Sequence, residues 1–405
     1  MYFFAYTDTK QYQLVSTGDK MDAIKFSQML SDKHIVDFKK LKYKYADDFD
    51  EFVSVLKSSY YEVLPILDFK GNNLVYLNSC TGVNLDAVKL LYTAQSSAYG
   101  LKALEEEIVA TSAIESIDFN RDSVRNIMKG LAPKDEEENR IYGLKQGFEF
   151  ISKRENKITE ENIFRLYMMA IGNFLDDDNK LKQGSFYRHD TVFVMSDKVE
   201  HSGIDYQKLP EYMKAFIEFA NANDGINDLL KATMLHFYIA YLHPYFDGNG
   251  RMARLIQMWF LIQKGYESTL FVPFSSYIEK SRRKYYDAYT LIEDNSKLSG
   301  VIDVTPFLLY FTQNVYEKMT DDSIKTDTFE LYNSALAEGK ITEKEAKLWQ
   351  FVLSAYAGDT FTTKQLEKDF GNAAFATVRS FVIKFADLGL LNTQQMKNKV
   401  LYSIK

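Results

Sequence analysis

The sequence predicts a mainly α-helical protein with a short β-hairpin lying across its helical body. Three observations carry that expectation: apolar residues recur at helical spacing through most of residues 84–320, only 6 of 405 residues are proline, and β-prone runs are short and scattered. A composition of 46% hydrophobic and 26% charged residues excludes collagen-like and largely disordered readings. At 405 residues the chain has room for two or three domains of roughly 100–200 residues each.

Taken in order, the first 90 residues predict a small mixed accessory domain. It has β-prone runs at 2–6, 63–67 and 74–77, a turn at Gly71-Asn72-Asn73, and helical pattern near 22–30 and 47–56. Residues 91–320 predict the helical body. Helix-period apolars run over 85–117 with a break near Gly100, then over 122–129, 139–151, 159–170 and 212–221. The exception is Thr191-Val192-Phe193-Val194, a β-prone string flanked by polar turn residues, which predicts the hairpin. The acidic runs at 135–138 and 176–179 read as solvated loops or helix starts, and polar residues 321–326 as a linker. Residues 327–405 then give helices at 342–356, 363–370 and 373–388, followed by β-like strings at 390–393 and 400–404. That order is the pattern of a winged helix-turn-helix.

The single cysteine, Cys80, excludes a disulfide framework and a cysteine-rich metal site. The first residues lack a signal-peptide pattern, and the most apolar window, 229–246, is broken by Lys231, His236, His243 and Pro244. A cytoplasmic location is the expectation, with no membrane span. Net charge of −7 argues against a nucleic-acid coat, although residues 340–405 carry ten Lys/Arg against six Asp/Glu.

The chemistry concentrates after residue 230. Leu230, Met234, Phe237, Tyr238, Tyr241 and Leu242 repeat at helical spacing, so a buried helix delivers His243 at its C-terminal end, where Pro244 stops it. Met252, Leu255, Ile256, Trp259 and Phe260 begin a second helix. Between the two lies Asp247-Gly248-Asn249-Gly250, a loop able to expose consecutive backbone N–H groups and feeding a helix N-terminus. Both features suit an anion. Arg251 and Arg254 share one face of the first turn of that second helix. Cations there oppose the helix dipole by roughly a few tenths to 1 kcal/mol each, so the pair makes electrostatic sense with a polyanion bound. A di- or triphosphate fits, because guanidinium groups grip phosphate oxygens bidentately. Asp247 offers a hard oxygen for accompanying Mg²⁺, and His243 is the nearby group suited to take a proton near neutral pH. No Gly-Lys-Ser/Thr follows the glycines, so this is not a P-loop. An EF-hand fails too, because Arg251 and Met258 would stand at ligand positions.

The string His243-Pro244-Tyr245-Phe246-Asp247-Gly248-Asn249-Gly250-Arg251-Met252-Ala253-Arg254 resembles the Fic motif, His-x-Phe-x-Asp/Glu-Gly-Asn-Gly-Arg-x-x-Arg. Tyr245 stands where phenylalanine is usual, and the resemblance covers roughly residues 95–320. It implies a helical enzyme that transfers AMP from ATP to a hydroxyl of a target protein. On that resemblance His243 is the general base, and Asp247 holds Mg²⁺ on the α- and β-phosphates. Gly248, Asn249 and Gly250 form the anion hole, Arg251 grips the phosphates, and Arg254 is placed for the γ-phosphate. Gly250 stands where the kinase-like Doc relatives carry lysine, which favours nucleotidyl transfer over phosphorylation.

Upstream, Thr111-Ser112-Ala113-Ile114-Glu115-Ser116 resembles the family's inhibitory motif, Ser/Thr-x-x-x-Glu-Gly/Asn, in an inhibitory helix of about residues 103–117. The resemblance implies that Glu115 pairs with Arg254 and prevents productive placement of the γ-phosphate. Ser116 departs from the pattern at the Gly/Asn position, with consequences for how the helix ends. The bland alternative makes Glu115 a surface carboxylate, as Glu105, Glu106 and Glu107 read. The same glutamate can, in this family, support removal of AMP by water.

Two further resemblances complete the expected site. The string ending in Val194 resembles the Fic flap, a hairpin edge that holds the target segment. Tyr285 and Tyr286 resemble a segment bordering the adenine pocket. His34, His189, His201 and His236 have no ligand-like spacing and read as satisfied or exposed. The expected protein is therefore an autoinhibited adenylyltransferase using ATP and Mg²⁺. Its partner is a hydroxyl-bearing target protein, itself included, and homodimerisation stays open. The alternatives are AMP removal or other Fic nucleotide chemistry, and a DNA-binding regulator in which the core senses nucleotide. Arg379 and Lys384 alone make a thin footprint for DNA phosphates on the expected recognition helix.

Overall fold

Helical periodicity in the sequence becomes helix in space. The computed structural model describes residues 21–84, 87–88, 101–195, 200–266, 269, 272–322, 326–356, 360–371, 373–396 and 399–405. The β-prone run at 2–6 and most of 85–100 lie outside the described residues. The chain divides into two compact units, Met1–Tyr61 and Glu62–Lys405.

In the first unit, Asp22 and Asp37 cap two short helices, α1 (Ala23–Leu30) and α2 (Phe38–Lys44), by accepting from their first-turn amides. A third helix, α3, covers Phe49–Val55. Met29, Phe38, Leu41, Phe49 and Phe52 close the core between them. The Lys44 ammonium and the backbone N–H of His34 hold the Asp32 carboxyl down at about 2. Helix α2 is not evident from the sequence: in FKKLKYK only Phe38 and Leu41 mark a buried face.

The second unit begins with the antiparallel hairpin β1 (Glu62–Leu67) and β2 (Asn73–Tyr76). Its alternation sends Leu64, Ile66 and Leu74 into the main core. Tyr238 and Tyr212 tie it down by donating to the carbonyls of Leu67 and Asp68, each at 2.9 Å.

The helical body follows as α4 (Leu101–Ile114), α5 (Arg121–Met128), α6 (Glu136–Ile151) and α7 (Glu160–Ala170). The acidic run at 135–138 starts α6, with Asp135 as its cap. The expected hairpin is present as β3 (Phe193–Met195) paired antiparallel with β4 (Glu200–Ser202). Beyond it lie α8 (Leu209–Asn221), α9 (Asp228–Leu242), α10 (Asn249–Gln263), α11 (Phe274–Lys280) and α12 (Arg282–Ser299). Helix α13 (Thr305–Phe311) then runs through a π-helical turn into α14 (Glu317–Asp322). Helices α9 and α10 are buried on every side. Leu235, Leu242, Met252 and Trp259 are fully removed from water, each contributing about 1.5–3 kcal/mol. This central pair forms the platform for the loop between its members.

A separate hydrophobic core gathers Leu348, Trp349, Phe361, Phe381, Phe385 and neighbouring residues. It is built by α15 (Thr326–Ala337), α16 (Glu343–Tyr356), α17 (Thr363–Phe370), α18 (Phe375–Asp387) and the hairpin β5 (Leu391–Met396)–β6 (Lys399–Ile404). Helices α16, α17 and α18 follow the spans read from the sequence, β5 runs on to Met396 beyond the expected string, and α15 is a helix that the sequence reading did not include. No helix among the described residues is long and apolar enough to cross a membrane.

Candidate active site

Helix α9 ends at Leu242, and His243 caps it in the left-handed region, φ 54° and ψ 61°. Pro244 forbids a further helical turn. His243 Nδ1 lies 3.2 Å from the Ala240 carbonyl. A proton on Nδ1 satisfies that contact and leaves Nε2 in the acceptor form. Gly248 then turns the chain with φ 83°, and a Cβ there would meet Ile171 at 2.6 Å. Asn249 spends its side chain within the loop, donating to the Tyr245 carbonyl at 2.9 Å and accepting from the Tyr245 N–H at 3.0 Å. What Asn249 offers outward is its backbone N–H, which with that of Gly250 belongs to the first turn of α10, where no intrahelical acceptor exists.

Both arginines point inward. Arg251 Nη2 donates to Asp247 at 3.3 Å, and burial lowers the Arg251 pKa. Arg254 is 2% exposed. Its Nε donates to Thr111 Oγ1 at 2.7 Å, and its Nη2 donates to the Thr111 carbonyl at 2.9 Å and to Glu115 Oε1 at 2.7 Å. Burial pulls the Arg254 pKa down, but the Glu115 carboxylate outweighs it and the net shift is upward. Arg251 Nε and Arg254 Nη1 are buried and have no acceptor among the described residues. Two buried, unpartnered guanidinium nitrogens beside a helix N-terminus form a site that an anion would complete. Asp247, with its side chain 52% exposed, is the one carboxylate of this loop. Among the described residues no cluster of three or more His, Cys, Asp or Glu could hold a metal ion.

Helix α4 therefore meets α10 through Glu115, the residue singled out in the sequence. A Cβ on Gly250 would lie 2.2 Å from Glu115 Oε1, so any larger residue requires this carboxylate to move. Glu107, on the same helix, corrects the sequence reading. It is no surface carboxylate but 1% exposed, and it accepts from both the Ser275 N–H and hydroxyl at the start of α11. Burial pushes its carboxyl up to about 7. Glu105 is also largely buried, paired with Arg125. The far end of α4 is gripped from α12: Arg282 donates to the Ala113 carbonyl and to Ser116 Oγ.

Ser116 itself has φ 61°, the conformation that explains why glycine or asparagine suits this position. Ser116→Gly should relieve about 1 kcal/mol of backbone strain. The Ile117 amide, which closes the turn by donating to Ser112 at 2.9 Å, should then exchange its hydrogen several-fold more slowly. Unchanged or faster exchange would show that the Arg282 contact matters more than the strain.

The two tyrosines separate. Tyr286 is 43% exposed and reaches the Ile114 carbonyl. Tyr285 is interior: its hydroxyl meets His236 Nε2 at 2.9 Å and the Tyr289 hydroxyl at 3.2 Å, beneath Arg254. His236 is satisfied as expected, with Gln257 on its other nitrogen, and burial drives its pKa down to about 3. Val194 lies in β3, and its side chain is outside the described residues.

Tyr245, the departure from the motif, stacks on Tyr167 with centroids 3.6 Å apart, and its buried hydroxyl has no partner among the described residues. Tyr245→Phe should raise stability by about 1 kcal/mol by removing that hydroxyl. A higher thermal or denaturant midpoint checks it; a lower one would mean the hydroxyl is satisfied after all.

Comparison with known proteins falls on this region. The family model described as the Fic/DOC family matches residues 157–261. The "Protein adenylyltransferase Fic" of Nematostella vectensis is 29% identical over 136 residues, covering 32% of this chain and 30% of the relative. Its namesake in Drosophila virilis is 24% identical over 247 residues, covering 58% and 46%. The match thus spans less than half the length of either relative. A solved Fic family protein from Desulfovibrio desulfuricans G20 aligns at 15% identity with a TM-score of 0.45, covering 75% of this chain and 87% of that one. Since the matched residues include the His243–Arg254 loop, the chain carries a Fic/DOC-family domain.

Proposed function

We propose that this protein is an adenylyltransferase that moves AMP from ATP to a serine, threonine or tyrosine hydroxyl of a target protein. The observation that carries the reading is the pair of buried, unpartnered nitrogens, Arg251 Nε and Arg254 Nη1, at the glycine-flanked start of α10. In the reaction the target oxygen attacks the α-phosphorus and gives its proton to His243 Nε2. The bond from the α-phosphorus to the bridging oxygen breaks, and pyrophosphate leaves. The Asn249 and Gly250 amides and Arg251 stabilise charge on the phosphates, so positioning and electrostatics dominate. Asp247 is a fitting ligand for Mg²⁺, which is ordinarily held by one or two carboxylates plus substrate phosphates. The ion would neutralise phosphate charge there.

Glu115 acts as a brake in this reading, by holding Arg254 away from the γ-phosphate. The β3–β4 hairpin offers an edge on which an extended target segment can pair. The C-terminal helices and hairpin are read as a winged helix serving protein contact, with DNA binding the less favoured alternative. Removal of AMP remains the second chemistry, favoured by the closeness of the Glu115 carboxylate to the loop.

Intact-mass spectrometry after incubation with MgATP tests the proposal, first on the protein alone and then with lysate and labelled ATP. An AMP adduct that depends on His243 supports it. Absence of AMP transfer in both settings, with Glu115 also removed, would overturn it.

A further inference from the structure

Arg188 is 2% exposed, and among the described residues no carboxylate lies within ion-pair distance of it. Burial lowers its pKa. The Asp205 and Asp190 charges offset part of that cost; a buried guanidinium also needs its N–H groups used, and here each end is. Nε donates to the His243 carbonyl at 2.7 Å, Nη1 to the Asp190 carbonyl at 2.6 Å, and Nη2 to the Ile204 carbonyl. The Arg188 backbone N–H donates to the Pro244 carbonyl at 2.9 Å. Asp190 precedes β3 and Ile204 follows β4, so one side chain joins both ends of the hairpin to the peptide that carries His243.

Gly203 completes the joint. Its N–H closes the base of the hairpin on the Val192 carbonyl at 3.1 Å. A Cβ at this position would stand 2.7 Å from Arg188 Nη2 and 3.1 Å from the His243 Cβ. The base of the hairpin therefore lies directly against the histidine, with no room for a side chain between them. His243 itself occupies a left-handed conformation that a β-carbon disfavours, so something must hold it there. The carbonyl that Arg188 grips belongs to that same residue.

We propose that Arg188 is a positioning residue that fixes the register between the β3–β4 hairpin and the His243 imidazole. The proposal rests on the adenylyltransferase reading for its catalytic consequence. A target chain paired on the hairpin edge would be placed relative to Nε2 through this joint, whereas the phosphates are held by other residues, on α10.

The test compares Arg188→Met, Arg188→Lys, Gly203→Ala and the double variant Arg188→Met/Gly203→Ala in the full-length Glu115→Gly protein. Hydrogen exchange is read first, because it needs no catalysis. In Arg188→Met the Gly203 amide should exchange about tenfold faster while amides within α9 and α10 keep their rates. Equal exchange at Gly203, or acceleration spread evenly over the helices, would overturn the proposal. Transfer is read second. Arg188→Met should lower kcat by at least tenfold with MgATP affinity within about twofold, and Arg188→Lys should recover little, since one ammonium cannot span three carbonyls. The two single losses should not add in the double variant, as expected for one joint. Unchanged kcat in Arg188→Met would overturn the proposal. If the parent transfers no AMP while the Gly203 amide still loosens, the adenylyltransferase reading fails and the joint stands.

Discussion

Glu115→Gly should raise AMP transfer by roughly 5- to 150-fold, the range that a coupling of 1–3 kcal/mol produces. Arg254 Nη2 shares its protons between the Thr111 carbonyl at 2.9 Å and Glu115 at 2.7 Å, and only the second contact is an ion pair. All of these bonds are charge-assisted because the donor is a guanidinium, worth about 1.5–3 kcal/mol each, but only the Glu115 contact also brings an opposite charge. Loss of the carboxylate leaves the guanidinium on acceptors that a phosphate outcompetes. It also removes a negative charge next to the Gly250 amide, where the anion is expected. The measurement is the initial rate of label incorporation at saturating MgATP. A variant no faster than the parent, with equal nucleotide affinity, would mean that Glu115 does not restrain the reaction.

In that released background, His243→Ala should cut transfer by about 10²–10⁴-fold, the usual contribution of a positioned base. MgATP affinity should change by no more than a few-fold, because the loop amides and both arginines stay in place. His243→Asn is the necessary companion. Asparagine tolerates the left-handed backbone at this position better than alanine, so it removes the imidazole with less disturbance of the turn. Equal losses in the two variants would assign the effect to the ring. A large loss only in the alanine variant would assign it to the turn, and His243 would no longer be the base.

The chain announces its chemistry locally and its restraints non-locally. His243, the two glycines and both arginines fall within twelve consecutive residues, so their types and spacing expose the anion site directly. Helices α9 and α10 are equally evident, being long and bounded by a proline and a glycine turn. Glu107 is not, because its burial depends on Ser275, 168 residues later, and nothing in a run of three glutamates separates the more exposed Glu106 from its two buried neighbours. Arg188 is hidden for the same reason: its acceptors are main-chain carbonyls, which carry no side-chain signature. Tyr285 and Tyr286 are adjacent in sequence yet lie on different sides of a helix surface, one inside and one half-exposed. Short α2 has too few apolar positions to declare a period.

The glycine at 250 also constrains the protein's history. Any side chain there would force the Glu115 carboxylate to move from its present position, so a longer residue at 250 disturbs the ion pair to Arg254. The two positions are epistatic in one direction. A lineage that loses Glu115 first is free to explore residue 250, including lysine and the altered phosphate chemistry that comes with it. A lineage that changes Gly250 first must move Glu115 away from its contact with Arg254. On the proposed reading, relatives with a bulky residue at 250 should carry a shortened or re-oriented residue at 115.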